Sequence, residues 1–463
     1  MPHAFLAILL ATACATLAAY QLWRVPRVWA FLLLFIVLMP KLALIVVPGN
    51  TTPIRLDDVV IAVVLGWWAA RELFLVRLKP DATNKLPDPT NTPRTATASS
   101  QNVASGFSRT IPASPATLFL FFYWSVALLC TLLGIASLTT DPLTGVLHFA
   151  RLIEYGLLYY YFYRTISPSE FDDVVEVFRS ALLIVCGIWI AQHWTHAPVG
   201  SPTAWATLYP TFSATYDFGG YMMLATMMLY ALWSTGGGHR NIWTTVALLA
   251  GIYVTVNSES RASLLGLALV VVFDIVARVQ WRTALVVGAL ALSAPLLIRS
   301  RKMMGLIGAV IAFGTTFDVG IMQRAFATDP SLALRLRNWR MAIEHWLSRP
   351  LVGDGLGGYL RYTRQYDLPA SLDGWYVRVL ADTGLLGLLA FVLLMTALVW
   401  TLLRAFQQEI QPLRRAIVYG AALAVVAASA SAVLVDTFVS YKIMGVFWMI
   451  VALGTRVAAE GHA

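Results

Sequence analysis

Long apolar runs separated by short polar connections repeat along almost the whole chain. Each run is about 17–25 residues long, which is enough for an α-helix to cross the hydrocarbon core of a bilayer. Such runs adopt helices because hydrocarbon offers no partner to free backbone N–H and C=O groups. We therefore predict spans at residues 4–22, 28–47, 56–76, 116–137, 146–164, 174–193, 217–234, 240–257, 262–279, 384–404, 413–434 and 441–457.

The run 283–317 does not fit this pattern, because "RSRK" at residues 299–302 divides it into two short apolar halves. If the long polar segment that follows is external, the run makes one net crossing, and one half dips into the bilayer without spanning it. The pattern as a whole predicts an all-α integral membrane protein with about 13 transmembrane helices, in the range of about 12–14.

Composition agrees with a membrane protein, since the 463 residues are 59% hydrophobic and only 12% charged, and the mean hydropathy is +0.70. The net charge of +9 comes mainly from arginines and lysines that flank the apolar runs. No polar, basic domain suited to nucleic acid is present, so we expect no nucleic-acid partner. The positive-inside rule places the basic connections in the cytoplasm, which predicts an external N-terminus and a cytoplasmic C-terminus.

Two polar segments interrupt the apolar pattern. Residues 77–115 are rich in Thr, Ser, Pro, Asn and Asp, a composition that predicts a disordered cytoplasmic linker. Residues 318–383 are too long for a simple connection and are predicted to form a large extracytoplasmic loop with short helices that carries the active site. The predicted organisation is N-terminal helices 1–76, linker 77–115, central helices 116–317, loop 318–383 and C-terminal helices 384–463.

The large loop contains eight arginines, seven acidic residues and no lysine. Arginine presents a planar fork that binds phosphate oxygens in pairs and keeps its proton, so this composition points to an anionic ligand such as a phosphate or a pyrophosphate. Pairing between the arginines and the acids within the loop explains the same composition. The sequence leaves both explanations open.

An amphipathic helix is predicted to begin near Asp329, which can cap it, and Pro330, which suits a first turn. Arg335 lies four residues before Trp339 and is therefore expected to rise from the buried face, whereas Arg337 and Arg340 face solvent. The expected apolar stripe comprises Trp339, Ala342, Ile343, Trp346 and Leu347. The following "PLVGDGLGGY" is predicted to form a tight, irregular turn near the membrane, ending the helix at Pro350.

Asp373 stands where the loop is predicted to become a helix that starts at Gly374. It is therefore an N-cap candidate, and it is also a candidate general base, because the positive end of a helix dipole keeps a carboxylate ionised. Other charged or hydroxyl side chains lie at predicted outer helix ends. Arg261 begins one span, and Asp217, beside Tyr216, can cap another. In "HFARLIEYG", Arg151 and Glu154 are three residues apart, a spacing that lets them pair on one helix face.

Five segments, in this order, resemble the O-antigen ligase and O-antigen polymerase family of bacterial envelope glycosyltransferases. They are "IRLDDVVIAVVLGWW", "YDFGGYMMLA", "NSESRASLLGL", "RLRNWRMAIEHWLSRPLVGDGLGGY" and "DGWYVRVLADTGLLGLLAF". The resemblance implies a GT-C-like fold in the bacterial inner membrane, with a periplasmic active site under the large loop. It also implies an inverting transfer of a glycan from undecaprenyl pyrophosphate to an acceptor glycan, with no metal and no cofactor.

The same resemblance assigns roles to particular residues. Arg261 and Arg335 match the family's arginines and are expected to bind the pyrophosphate. Asp373-Gly374 stands where ligases of the family carry His-Asn, so Asp373 is expected to be the catalytic base. This departure favours a polymerase of O-antigen or exopolysaccharide, with a possible chain-length regulator as partner. A ligase that attaches polymer to lipid A-core is the alternative.

A transporter or flippase for a lipid-linked glycan is the alternative from a different functional class. A transporter places ionisable groups near the bilayer midplane. Lys41 and Asp274 are the main candidates within the predicted spans, whereas most other charges lie at the boundaries. This distribution favours the enzyme.

Overall fold

The computed structural model describes residues 27–38, 43–45, 54–77, 115–195, 215–235, 240–278, 330–365 and 372–460, with isolated positions between 16 and 25. The predictions for most of the span 4–22, for the interior of the linker 77–115 and for the divided run 283–317 lie outside these residues.

The described residues form helices and one small antiparallel hairpin. We number the helices α1 Val28–Leu38, α2 Leu56–Arg77, α3 Pro115–Ala136, α4 Pro142–Thr165, α5 Phe171–Thr195, α6 Thr215–Thr235, α7 Ile242–Asn257, α8 Arg261–Arg278, α9 Pro330–Trp346, α10 Gly358–Gln365, α11 Trp375–Gln408, α12 Pro412–Ser431 and α13 Tyr441–Glu460. The hairpin pairs β1 Ala43–Ile45 with β2 Ile54–Arg55. Short 3₁₀ turns cover Pro168–Glu170 and Thr437–Val439.

Most predicted spans in the described part of the chain coincide with helices to within a few residues. The run 28–47 is an exception, and the prediction of one helix there is wrong. Its helix ends at Leu38, and strand β1 occupies Ala43–Ile45. Pro40 lies between the two, and a proline disfavours helical conformation in the residue before it.

Five helices among the described residues are long and apolar enough to cross a membrane, namely Ala116–Ala136, Pro168–Gln192, Trp375–Gln408, Pro412–Ser431 and Tyr441–Glu460. Helices α12 and α13 form the centre of the bundle, with 72% and 83% of their apolar windows buried. Helix α12 is rich in alanine, and small side chains let neighbouring helices approach closely. Helix α3 is only 33% buried and lies at the periphery. The chain is a multi-pass membrane protein.

Arginine side chains lie over aromatic rings at one end of the bundle. Arg240 lies 4.6 Å from the ring of Trp233, and Arg404 lies 4.5 Å from the ring of Trp400. Arg456 of α13 donates to the carbonyl of Tyr163 at 2.6 Å. We call this the basic end. The opposite end carries α9, α10 and, between them, residues 350–357, which we call the glycine-rich turn. We call this end the loop end.

Helix α11 is broken at Gly384, whose backbone is non-helical (φ 64°, ψ −165°). In a straight helix, Trp375 and Phe391 would be about 24 Å apart along the axis. Their ring centroids are 6.0 Å apart. The two segments, 375–383 (α11a) and 385–408 (α11b), therefore fold back toward each other.

The glycine-rich turn supplies hydrogen-bond partners to both helix ends at this break. The carbonyls of Ala381 and Asp382 accept from the N–H groups of Asp354 (3.1 Å) and Gly355 (2.7 Å). The N–H groups that begin α11b, those of Leu385 and Leu386, donate to the carbonyls of the turn's first two residues at 2.9 and 3.1 Å. The turn, which sequence analysis predicted only as a chain reversal, thus satisfies backbone groups that a helix end otherwise leaves unpaired.

We predict that Gly384→Ala destabilises the fold. An alanine Cβ at Gly384 would lie 2.3 Å from the carbonyl oxygen of Leu351. The backbone there (φ 64°, ψ −165°) is also in a region that is essentially restricted to glycine and costs other residues about 1–3 kcal/mol. The measurement is thermal unfolding of the purified protein in detergent. The matched control is Gly66→Ala in α2, where a Cβ meets nothing within 4 Å. An unchanged melting temperature for Gly384→Ala would contradict the described break.

Candidate active site

The predicted base and one predicted pyrophosphate ligand lie side by side at the loop end. Arg335 of α9 donates from Nε to Oδ2 of Asp373 at 2.8 Å. The Arg335 side chain is 18% exposed and that of Asp373 is 35% exposed. The carboxylate is therefore oriented by an ion pair while part of it remains accessible.

Asp373 is not the N-cap of the following helix, so the capping prediction is wrong. Helix α11 begins at Trp375, and Gly374 occupies the N-cap position with φ 120°. A Cβ at Gly374 would lie 2.8 Å from Nε1 of Trp339. That nitrogen donates to the carbonyl oxygen of Asp373. The close approach of Trp339 and the positive φ together require glycine at 374 and turn the Asp373 side chain toward α9.

The predicted buried face of α9 agrees with the structure near Arg335 but not in the last turns of the helix. Ala342 is fully buried, whereas Ile343 and Leu347 are 40% and 62% exposed, so the predicted stripe is wrong at these two positions. The helix ends at Trp346, before Pro350. The solvent-facing prediction is confirmed for Arg337 and Arg340, which are both exposed.

Behind Asp373 lies a second group of charges that sequence analysis did not identify. Arg378 of α11a donates from one terminal nitrogen to Oδ2 of Asp436 at 2.6 Å. Its Nε lies 3.8 Å from Oδ2 of Asp382. Burial raises the pKa of the Asp436 carboxyl, and the positive charge of Arg378 opposes that rise. Asp436 lies in the short connection between α12 and α13, 63 positions after Asp373, so spacing along the chain gave no signal for this pairing.

The starts of α6 and α8 meet at the same end. A Cβ at Gly219 would lie 2.4 Å from Cβ of Ser260, so the residue before Arg261 packs directly on α6. Tyr216 lies within electrostatic range of Arg378. Asp217 is fully buried in the first turn of α6, which begins at Thr215, so it is not the N-cap that sequence analysis proposed.

Arg151 and Glu154 belong to α4 and are both half-buried. Arg151 lines a cavity between α4 and α11a that also contains Arg378 and Asp382. The structure therefore brings Arg151 near the second charged group. Sequence analysis had treated it only as a neighbour of Glu154.

Asp354, in the glycine-rich turn, connects neighbouring segments through hydrogen bonds. Its carboxylate lies 2.5 Å from Nε2 of His345, and its carbonyl accepts from the hydroxyls of Thr139 (2.8 Å) and Thr140 (2.5 Å). The His345 ring stacks on Tyr362 with centroids 3.8 Å apart. These contacts join the end of α9 and α10 to the connection between α3 and α4, which fixes the turn over the break in α11.

We predict that Asp436→Ala destabilises the protein, because it leaves Arg378 without its closest partner in a mostly buried position. Removing one member of a buried ion pair typically costs about 3–5 kcal/mol. The control is Glu344→Ala, which removes the partner of Arg340 from a pair that is 81% and 59% exposed. Chemical or thermal unfolding should show a large loss for the first variant and little change for the second. Equal stability of the two variants would contradict a buried role for Asp436.

Residues 245–392 match the family model described as O-antigen ligase. The matched segment contains Arg261, Arg335 and Asp373, together with the glycine-rich turn and the break in α11. A search of curated proteins finds no match to the chain. Over residues 245–392, this multi-pass membrane protein is therefore similar to the O-antigen ligase family.

Proposed function

We propose that the protein is a glycosyltransferase that moves an oligo- or polysaccharide from undecaprenyl pyrophosphate to an acceptor sugar hydroxyl. The observation that carries the proposal is the pairing of Asp373 with Arg335 inside the O-antigen ligase family domain. A partly exposed carboxylate beside a guanidinium supplies a proton acceptor and a phosphate ligand in one place. The active site faces the periplasm, beneath the loop 318–383, in a GT-C-like bundle of about 13 spans.

In the proposed reaction, Asp373 takes the proton of the acceptor hydroxyl as its oxygen attacks the anomeric carbon. A carboxylate within hydrogen-bond reach of the hydroxyl can do this. The new C–O bond forms on the face opposite the leaving group, the bond between the anomeric carbon and the phosphate oxygen breaks, and the lipid pyrophosphate departs with the electron pair. The configuration at the anomeric carbon is therefore inverted.

Arg335 and Arg261 stabilise the charge that develops on the departing pyrophosphate. Fixed guanidinium donors perform this role well because they need no reorganisation during the reaction. Arg335 uses Nε for Asp373, and an arginine has five N–H donors in all. It can therefore orient the base and contact the phosphate with different nitrogens. No step in this mechanism requires a metal ion or a cofactor.

A polymerase is the form of the reaction that we favour, with a second lipid-linked glycan as acceptor and a chain-length regulator as a candidate partner. The support is Asp373-Gly374, which replaces the His-Asn pair of related ligases. Gly374 is also required by its φ of 120° and by Trp339, so this difference is built into the local backbone. Ligation to lipid A-core or another acceptor is the alternative.

The transporter alternative loses support from the surroundings of Asp274. This fully buried carboxylate accepts hydrogen bonds from the hydroxyls of Tyr230 (2.7 Å) and Tyr419. The two tyrosines come from α6 and α12, so the contact ties three helices together. Lys41, the other candidate, lies outside the described residues.

We predict that Asp373→Asn folds normally and loses transfer activity. Asparagine keeps an oxygen that accepts from Arg335, but it cannot take a proton. General base catalysis typically contributes about 10²–10⁴-fold, so the turnover of lipid-linked substrate by purified enzyme should fall by that factor. The control is Glu344→Gln, on an exposed acid of α9. Normal turnover by Asp373→Asn would remove Asp373 from the chemistry.

The same Asp373→Asn variant, placed in the host, distinguishes the two forms of the enzyme. Loss of long surface glycans with intact lipid-linked repeat units indicates a polymerase. Accumulation of full-length polymer that is not attached to an acceptor indicates a ligase.

We predict that Arg335→Lys is also impaired, by about 10²–10³-fold, the usual cost of losing one such donor. A lysine ammonium is a point charge without the guanidinium fork, so it cannot bond Asp373 and a phosphate in the same geometry. Arg340→Lys on the exposed face of the same helix is the matched control. Full activity of Arg335→Lys, measured in the same assay, would exclude Arg335 as a pyrophosphate ligand.

A further inference from the structure

Large apolar side chains are exposed at the end of α9 and in the glycine-rich turn. Ile343, Leu347 and Leu351 are 40%, 62% and 60% exposed. The N–H of Leu347 donates to the carbonyl of Ile343 at 3.2 Å, so these two lie on one face of the last helical turn. Sequence analysis placed both on a buried stripe. Because exposed apolar residues that lie side by side mark a binding surface, their exposure calls for a partner outside the bundle.

A further exposed leucine, Leu138, follows α3 in a backbone conformation that does not suit it. Its φ is 61°, and it is 74% exposed. The N–H groups of Leu138 and Thr139 donate to the carbonyls of Ile135 (3.1 Å) and Gly134 (3.0 Å), which is the Schellman ending of a helix. Glycine is the usual residue at this position, because a side chain there is unfavourable in the left-handed conformation. The backbone therefore does not explain the leucine, and its side chain must be accounted for by what it contacts.

Leu138 and the end of α9 belong to one surface. Arg349 donates from its guanidinium to the hydroxyls of Ser137 and Thr139, the two neighbours of Leu138 in the chain. Its side chain is 36% exposed, and an arginine has five N–H donors, so it can bind a further acceptor from outside the protein. We call the four exposed apolar residues of this surface the apolar rim, namely Leu138, Ile343, Leu347 and Leu351.

The apolar rim continues the exposed apolar surface of two membrane spans. Helices α3 and α11 are both long and apolar enough to cross a membrane. The N–H of Leu386, the second residue of α11b, donates to the carbonyl of Leu351 at 3.1 Å, so the rim reaches the level of that span. Near the loop end, both spans expose leucines that are 40% to 55% accessible, namely Leu132, Leu133, Leu385, Leu386 and Leu389. A surface that faces hydrocarbon therefore leads directly to the rim.

Polar side chains occupy the adjacent exposed face of α9. Arg340, Glu344 and Ser348 are four residues apart and exposed. Ser348 directly follows Leu347, and one residue turns a helix by about 100°, so the polar and apolar faces are distinct. A helix with an apolar face and a charged face suits the boundary between lipid and water.

We propose that the apolar rim inserts into the lipid leaflet at the loop end, with the acyl chains of phospholipids as its partner. The continuity of the rim with the leucines of α3 and α11b carries this choice of partner. Moving an exposed leucine from water into hydrocarbon is favourable, which offsets the unfavourable backbone at Leu138. Arg349 then lies at the phosphate groups of the leaflet, where a long cationic side chain keeps its charged head in the polar layer.

This inference does not depend on the proposed function, but it bears on the candidate active site. Insertion of the rim attaches one end of α9 to the leaflet. The same helix carries Arg335, which pairs with Asp373. The leaflet therefore fixes the height of this ion pair relative to the membrane.

The first test measures how fast single cysteines react with a charged maleimide in the full-length protein, held in nanodiscs of phosphatidylethanolamine and phosphatidylglycerol. The three native cysteines are replaced beforehand. Leu347→Cys and Leu351→Cys probe the rim, and Glu344→Cys and Ser348→Cys on the polar face are the matched controls. Because apolar surroundings raise the pKa of a thiol and lower its thiolate fraction, the rim cysteines should react at least about tenfold more slowly than the controls. Equal rates at the rim and on the polar face would overturn the proposal.

Photolabelling separates the leaflet from other ways of covering the rim. A phospholipid with a diazirine in the first part of its acyl chain should label the peptide of residues 343–351 in the native protein. Slow cysteine reaction without this labelling would mean that another part of the chain or a second copy covers the rim, and would also overturn the proposal. Neither measurement uses glycan transfer, so failure of the proposed function would leave both results unaffected.

Discussion

The arrangement of this protein's loop end depends on the way in which the break in α11 is closed by the glycine-rich turn. Breaking a helix inside a membrane protein leaves carbonyl and N–H groups without partners, which is costly away from water. Here the turn after α9 bonds to both ends of the break, with contacts of 2.7 to 3.1 Å. The positive φ values at Gly353 (62°) and Gly384 (64°) allow the two backbones to approach that closely.

That closure determines where the charged groups lie. Because α11 reverses at Gly384, the segment 375–383 stays at the loop end and does not continue the line of α11b into the bundle. Arg378 and Asp382 therefore meet Asp436 from the connection between α12 and α13. Asp373, just before this segment, meets Arg335 of α9. The same turn is tied to α9 and to the connection between α3 and α4 through Asp354, so Asp373, Arg335 and the neighbouring cavity share one support.

The two ion pairs differ in a way that suits different tasks. Arg378 and Asp436 are 16% and 17% exposed and hold elements together. Asp373 is twice as exposed as its partner Arg335, at 35% against 18%, so a ligand can reach its carboxylate. Buried charges need partners because the interior screens them poorly, whereas the proposed role of Asp373 as a base also requires that a substrate can reach it. The structure meets both needs within one short segment.

The sequence by itself determined the membrane class, most helix boundaries among the described residues and the amphipathic character near Arg335. These follow from local periodicity and from the absence of backbone partners in hydrocarbon. The tertiary structure alone decided that Asp373 pairs with Arg335 instead of capping its helix, that α11 is broken, and that Arg378, Asp436 and Arg151 lie near one cavity. Such contacts join residues far apart in the chain, and their energies depend on burial and distance, which no local pattern encodes.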